Sequence, residues 1–159
     1  MLALLFAVGA DRYALSAGEI VEILPLVALK RVPSAPPYLA GLLNYHGALA
    51  PVVDLNRLIG ETPCREWLSS RILLTRHPLP DGRIELLGLL VEQATETAHI
   101  APESLRSSTA ATPWLGQMAI RGKELVQFVR PAGLLTDEAR ALLYPSEREA
   151  PPHAHPGAG

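Results

Sequence analysis

Hydrophobic positions in this chain come in short runs broken by glycine and proline. Leu2 to Val8 reads as a buried strand, Gly9-Ala10-Asp11 as a turn and Arg12 to Leu15 as a second strand, which together predict a hairpin. Ser16 is placed to cap a brief helical turn. Ile20 to Leu24 then alternates, with Val21 and Ile23 on one face and Ile20, Glu22 and Leu24 on the other. Leu26 to Arg31 reads as a strand or an extended connection. Strands are expected at Arg71 to Thr75 and Ile84 to Val91, joined through a Pro80-Asp81-Gly82 turn, where proline presets φ and glycine accepts positive φ. Gly88 marks a bulge or a close backbone approach, and Glu92 to Ile100 continues the sheet after a bend. Ala101 to Leu105 suits one helical turn, and Arg106 to Thr112 a loop. Trp114 to Ile120, Arg121-Gly122-Lys123 and Glu124 to Arg130 predict a last hairpin. Leu134 to Leu143 has helical spacing that puts Leu135, Ala139 and Leu142 on one face, with Asp137 and Glu138 near the positive end of the helix dipole. From Pro145 onward the composition predicts a disordered tail, residues 145–159.

The stretch from Pro36 to Gly60 departs from a plain strand pattern. Two prolines stiffen its approach, and Gly41 and Gly47 bracket an apolar run that contains Asn44, Tyr45 and His46. This predicts a tight turn that carries exposed side chains between two buried strands. Leu49 to Leu55 is the second of those strands, and Asn56 to Ile59 a short amphipathic piece that stops at Gly60. Many short strands without a βαβ rhythm make the fold mainly β, a barrel or a sandwich.

Composition narrows the function classes. The 159 residues, 48% hydrophobic and 19% charged, suit one domain or two intimately packed halves. Fourteen basic against sixteen acidic side chains give a net charge of −2, so no basic field draws in nucleic acid or an acidic membrane. Met1 to Leu15 lacks a basic leading region, which argues against a signal peptide, and no run reaches the roughly 20 apolar residues of a membrane helix. A cytoplasmic protein is expected. Cys64 is the single cysteine, read as a small apolar filler or a loop thiol.

No catalytic constellation has useful spacing: there is no phosphate loop, nucleophile elbow or His-Glu-x-x-His. His46, His77 and His99 are scattered, and the His153-x-His155 pair has no fixed third and fourth metal ligands. No cofactor, metal or catalytic residue is expected. Glu92 and Glu96 share a strand face by their even spacing, as ordinary surface acids also do. Glu22, among apolar neighbours, reads equally as a solvated edge-strand carboxylate or as a partner contact.

Three segments carry a family resemblance. Pro36-Pro37-Tyr38 through Gly41, Asn44-Tyr45-His46-Gly47 and Pro51-Val52-Val53-Asp54-Leu55 resemble the signature of CheW-like coupling proteins. Gly88 to Glu96 and the Trp114 to Leu135 hairpin are similar to later parts of that family, so the resemblance runs from about Leu2 to Leu135. It implies two packed, five-stranded SH3-like barrels with a short C-terminal helix. It further implies a single domain over residues 1–144, whose intertwined halves divide near 58–67. The implied role is a non-catalytic scaffold that couples the cytoplasmic tip of methyl-accepting chemoreceptors to the regulatory domain of a CheA-type histidine kinase. The other reading is a free-standing SH3-like binding module outside receptor arrays. Glu22 to Val27 and Gln93-Ala94-Thr95 resemble WspB-type adaptors, which implies surface sensing with cyclic di-GMP as output. Partner contacts implied by the resemblance are Ile20, Glu22, Gly41, Leu43, Asn44, Tyr45, His46 and Val91. Ile20, Leu43 and Val91 also fit plain core positions. The chain departs from the family pattern at His46, where arginine is usual; histidine lacks the permanent charge and the bidentate fork, so ionic attraction there should grow on acidification.

Overall fold

A computed structural model describes residues 1–60, 63–65, 69–107 and 112–146. The tail from residue 147, residues 108–111 of the expected loop, and residues 61–62 and 66–68 around the expected division between halves lie outside the described residues. Among the described residues ten strands run in chain order: β1 (Leu2–Val8), β2 (Asp11–Ser16), β3 (Ile20–Pro25), β4 (Leu39–Tyr45), β5 (Ala48–Asp54), β6 (Arg71–Pro78), β7 (Ile84–His99), β8 (Leu105–Arg106), β9 (Leu115–Arg121) and β10 (Glu124–Val129). Two short helices, α1 (Leu55–Ile59) and α2 (Asp137–Leu143), follow β5 and close the described chain.

β7 is the spine. Its first part pairs with β6 and β5 and its second part with β1, so one 16-residue strand serves two half-folds. The first barrel is ordered β3-β6-β7-β5-β4. Reciprocal bonds between Lys30 and Leu42, of 2.9 and 2.8 Å, attach the segment after β3 to β4 and close it. The second is ordered β7-β1-β2-β10-β9, with β8 on its far edge. The chain is thus mainly β, in two packed SH3-like barrels. Sequence halves and spatial halves differ: β1 and β2 pack with β9 and β10, while β6, beyond residue 67, pairs with β3.

Three apolar clusters explain why so many strands read as unbroken hydrophobic runs. Leu43, Val52, Ile72 and Leu74 fill the first barrel, and Ala3, Leu5, Val126 and Phe128 the second. Between them lies a larger cluster that includes Leu4, Phe6, Leu73, Leu87, Leu89 and Val91. β1, β6 and β7 are therefore buried on both faces, one toward a barrel interior and the other toward the junction. Gly88 sits where β7 meets β5: a Cβ there would lie 2.9 Å from Val52 and 3.1 Å from Ile72, a close approach rather than a bulge.

Several local expectations give way to tertiary context. A register shift between Ile20 and Glu22 breaks the alternation of β3, so Val21 joins Leu24 in the first barrel while Ile23 is exposed. Leu49 is 65% exposed near the start of β5 and Leu142 is 59% exposed on α2. Leu143, not Leu142, packs against the core, because helix formation starts only at Asp137 behind the Thr136 cap. Ser16 holds a cap position, but its hydroxyl makes no capping bond. Arg106 is strand, paired with Met118, rather than loop. Glu92 and Glu96 do not share surroundings either. Gln93 takes φ of 51° at a bulge, Glu92 is buried, and Glu96 joins an exposed ring of ion pairs with Arg12, Arg121 and Glu124.

His77, near the end of β6, is fully buried, and neither ring nitrogen has a hydrogen-bond partner among the described residues. Its ring stacks on Tyr144, centroids 5.8 Å apart, just beyond α2. Burial lowers its pKa from the ordinary 6.5; the Arg140 guanidinium adds to that, and the Pro131 carbonyl opposes it without reaching hydrogen-bond geometry. The unfolded chain therefore takes up this proton at a higher pH than the folded one. Folded stability is intact above the unfolded value and falls as pH drops from there toward the folded value. Thermal melts from about pH 7 to about pH 5 should show falling Tm, with His77→Leu flattening this slope and, at neutral pH, gaining about 1 kcal/mol from removal of the unpaired polar ring. An unchanged slope in His77→Leu would exclude this residue as the cause.

Candidate functional site

Within the segment that carries the family resemblance, the fold builds a polar constellation at the tip of the β4–β5 hairpin. Tyr45 and Ala48 close the ladder, leaving His46 and Gly47 as a two-residue loop. Both have positive φ, 51° and 89°, the geometry that matches the twist of a hairpin. Glycine takes it without strain; at His46 the imidazole is held outward in a backbone region that is uncommon for side-chain-bearing residues. Asn44 Oδ1 accepts a 2.8 Å bond from the Gly47 N–H and ties off the turn.

Across the closed barrel, the Tyr45 hydroxyl donates to the Glu22 carboxylate on β3. This bond raises the tyrosine's pKa above its ordinary 10.0, with slight desolvation and the carboxylate's charge adding to the effect. The Tyr45 and His46 rings meet edge-on with centroids 4.4 Å apart. One exposed face therefore presents a fixed carboxylate, an aromatic surface, an imidazole and an amide. Such a set supplies oriented hydrogen bonds and one localised charge; it holds no nucleophile beside a base.

The remaining expected contacts fall elsewhere. Ile20 is half-buried against the central cluster. Val91 is fully buried in that cluster, and Leu43 is buried in the first barrel at 8% exposure. Gly41 is buried beneath the segment after β3. The fold therefore brings Glu22, Asn44, Tyr45 and His46 together and leaves Leu43, Gly41 and Val91 buried elsewhere.

Asp54, within the Pro51 to Leu55 segment, has a structural task that residue patterning left unassigned. It is buried, caps α1 by accepting from the Arg57 N–H at 3.3 Å, and accepts from the Cys64 N–H at 2.9 Å. Buried Glu92 likewise accepts from the Arg65 N–H. These two carboxylates pin the connection that leaves α1. The aspartate was legible as a helix-cap signal before Leu55-Asn56-Arg57; the glutamate carried no such signal.

Two packed β-barrels sharing one strand, the first closed by the Lys30–Leu42 pair, define a two-barrel β protein with an oriented polar hairpin end. Residues 2–139 match the family model of the CheW-like domain, and the chain belongs to that family. Among relatives, the chemotaxis protein CheW of Helicobacter pylori is 26% identical over 119 residues, covering 70% of this chain and 69% of the relative. CheW of Bacillus subtilis is 22% identical over 151 residues, covering 91% of this chain and 92% of the relative. The scaffolding protein TtCheW of Thermoanaerobacter tengcongensis superposes with a TM-score of 0.70 at 21% identity, over 85% of this chain and 87% of that one. It shares the fold.

Proposed function

We propose that this protein is a non-catalytic coupling scaffold of chemotaxis-type signalling, joining the cytoplasmic tip of a chemoreceptor to the regulatory domain of a CheA-type histidine kinase. The observation that carries the reading is the family match, which runs through both barrels. The chemotaxis names of the relatives and the scaffolding role in the name of the structural neighbour support it. On this reading the protein works in the cytoplasm beside membrane-embedded receptors, as one domain over residues 1–144. Resemblance to WspB-type adaptors at Glu22 to Val27 extends the proposal to surface sensing with cyclic di-GMP as output.

The contact surface we assign is Glu22, Asn44, Tyr45 and His46, with half-buried Ile20 on the same strand as Glu22, while Gly41, Leu43 and Val91 would act only through the packing of the fold. Calorimetric titration against the kinase regulatory domain and the receptor-tip fragment encoded beside this gene tests the role; binding to neither rejects it. Glu22→Lys and His46→Ala are each expected to weaken one of these complexes by about tenfold without moving Tm, because both side chains are exposed. Tyr45→Phe should cost severalfold less, since it only releases the Glu22 carboxylate. Native affinity in all three variants would remove the hairpin tip from the site.

A further inference from the structure

His77 is a buried titratable group that the coupling role does not use. The alternation of β6 sets it on the same face as Leu73 and Leu79, both in the central cluster. Its cover comes from the C-terminal end of the fold. The Tyr144 ring lies over the imidazole with 16° between planes, and the carbonyl of Pro131, in the 3-10 turn before α2, lies beside it. The groups around the ring do nothing to compensate a charge there. Arg140 of α2 is itself a cation, and Tyr144 spends its hydroxyl on the Leu86 carbonyl at 2.8 Å. Glu85, the register partner of His77 on β7, pairs with Arg83 at 3.7 Å. On α2, Asp137 pairs with Arg140, and Glu138 lies near Tyr38.

An imidazolium cannot stay in such a place without water or an acceptor. The wall made by β6 and β7 is strong, since the two strands pair without a break from Arg71 to Pro78. The lid is weak. α2 has seven residues, too few to hold as a helix on its own, and Ala139 is its buried residue. Its far end is held by the Tyr144 hydroxyl and by Arg83, whose guanidinium donates to the Tyr144 and Pro145 carbonyls at 3.2 and 3.3 Å. Leu134 and Leu135, just before Thr136, are anchored in the central cluster. Lifting α2 breaks only these few bonds, whereas opening the ladder would disrupt the shared sheet.

We propose that protonation of His77 unlatches α2 and Tyr144, which swing about Thr136 and bare Leu79 and the Leu86 carbonyl while both barrels stay folded. The acid response is then local, which a falling Tm alone does not imply. The proposal does not rest on the coupling reading, since Glu22, Asn44, Tyr45 and His46 take no part. In the open form the hydrated ring takes up its proton near the ordinary 6.5, and in the closed form only at lower pH. Between those two values each pH unit of acidification favours opening by about tenfold. Amide hydrogen exchange of the full chain from about pH 7 to about pH 5, compared as protection factors because intrinsic exchange also varies with pH, tests this. The Arg140 and Tyr144 amides, which donate to the Thr136 and Arg140 carbonyls, should lose protection at least about tenfold over that range. The amides of Leu73 in β6 and Leu5 in β1 should keep theirs. His77→Leu should hold the latch closed throughout. Tyr144→Phe, which keeps the ring but gives up the Leu86 bond, should raise opening severalfold at every pH with the same slope. Full protection of Arg140 and Tyr144 while the His77 ring proton resonance titrates would overturn the proposal. So would loss at Leu73 in step with Tyr144, or an unchanged slope in His77→Leu.

Discussion

Gly133→Ala is expected to destabilise the protein by about 3 kcal/mol or more and to lower Tm by about 10 °C. Gly133 ends the 3-10 turn Pro131–Gly133 that leads from β10 to α2. A Cβ on it would lie 2.1 Å from the Pro113 carbonyl oxygen, 2.5 Å from the carbonyl carbon and 3.0 Å from the Trp114 nitrogen. All three are backbone atoms, so no rotamer change relieves the contact. The backbone cannot yield cheaply either, since Arg130 N–H donates to the Trp114 carbonyl at 2.7 Å and Trp114 packs on the central cluster. Separating these segments would also withdraw Leu134 and Leu135, both buried, from that cluster. Equilibrium denaturation of the single variant measures the effect. A loss below about 0.5 kcal/mol would mean that the two segments do not touch.

The sequence offers no hint of that contact, and the reason bears on what can be read from a chain. Period-two patterning and Gly/Pro punctuation are local, and they locate most strands, the Pro80 turn and both hairpins. Contacts between segments brought together by barrel closure are not local. The Tyr45–Glu22 bond spans 23 residues and exists because the Lys30–Leu42 pair closes the first barrel. Glycines bracketing Asn44 to His46 made the exposed tip legible; nothing in the sequence announced its carboxylate partner. Apolar identity likewise cannot separate a groove-lining residue from a core residue. Leu43 and Val91 prove to be core because the strands around them are covered on both faces. The bulge at Gln93 was silent since a non-glycine residue adopts the positive φ, and with it went the difference between buried Glu92 and exposed Glu96. His77 and Tyr144 lie far apart in sequence and stack only after folding.

Gly41 shows how this distinction changes an experiment. The family pattern makes Gly41 a candidate contact, and on that pattern alone a bulky substitution there is a probe of partner binding. Its geometry says otherwise: a Cβ would lie 2.7 Å from Leu29 Cβ and 2.8 Å from the Lys30 carbonyl oxygen. That same carbonyl accepts from the Leu42 N–H at 2.8 Å, so the clash strikes the pair that closes the first barrel. Gly41→Val is therefore expected to cost about 3 kcal/mol, with the Lys30 and Leu42 amides losing hydrogen-exchange protection before other core amides do. Any loss of binding in that variant would follow from the opened barrel, which also frees β3 and with it Glu22 from Tyr45. Separating the two effects needs a surface variant beside it: His46→Ala should leave Tm and the Lys30 amide untouched while it weakens the partner complex. If Gly41→Val instead keeps native Tm and full Lys30 protection yet loses affinity, Gly41 is a contact and the close approach to Lys30 is not a constraint on the fold.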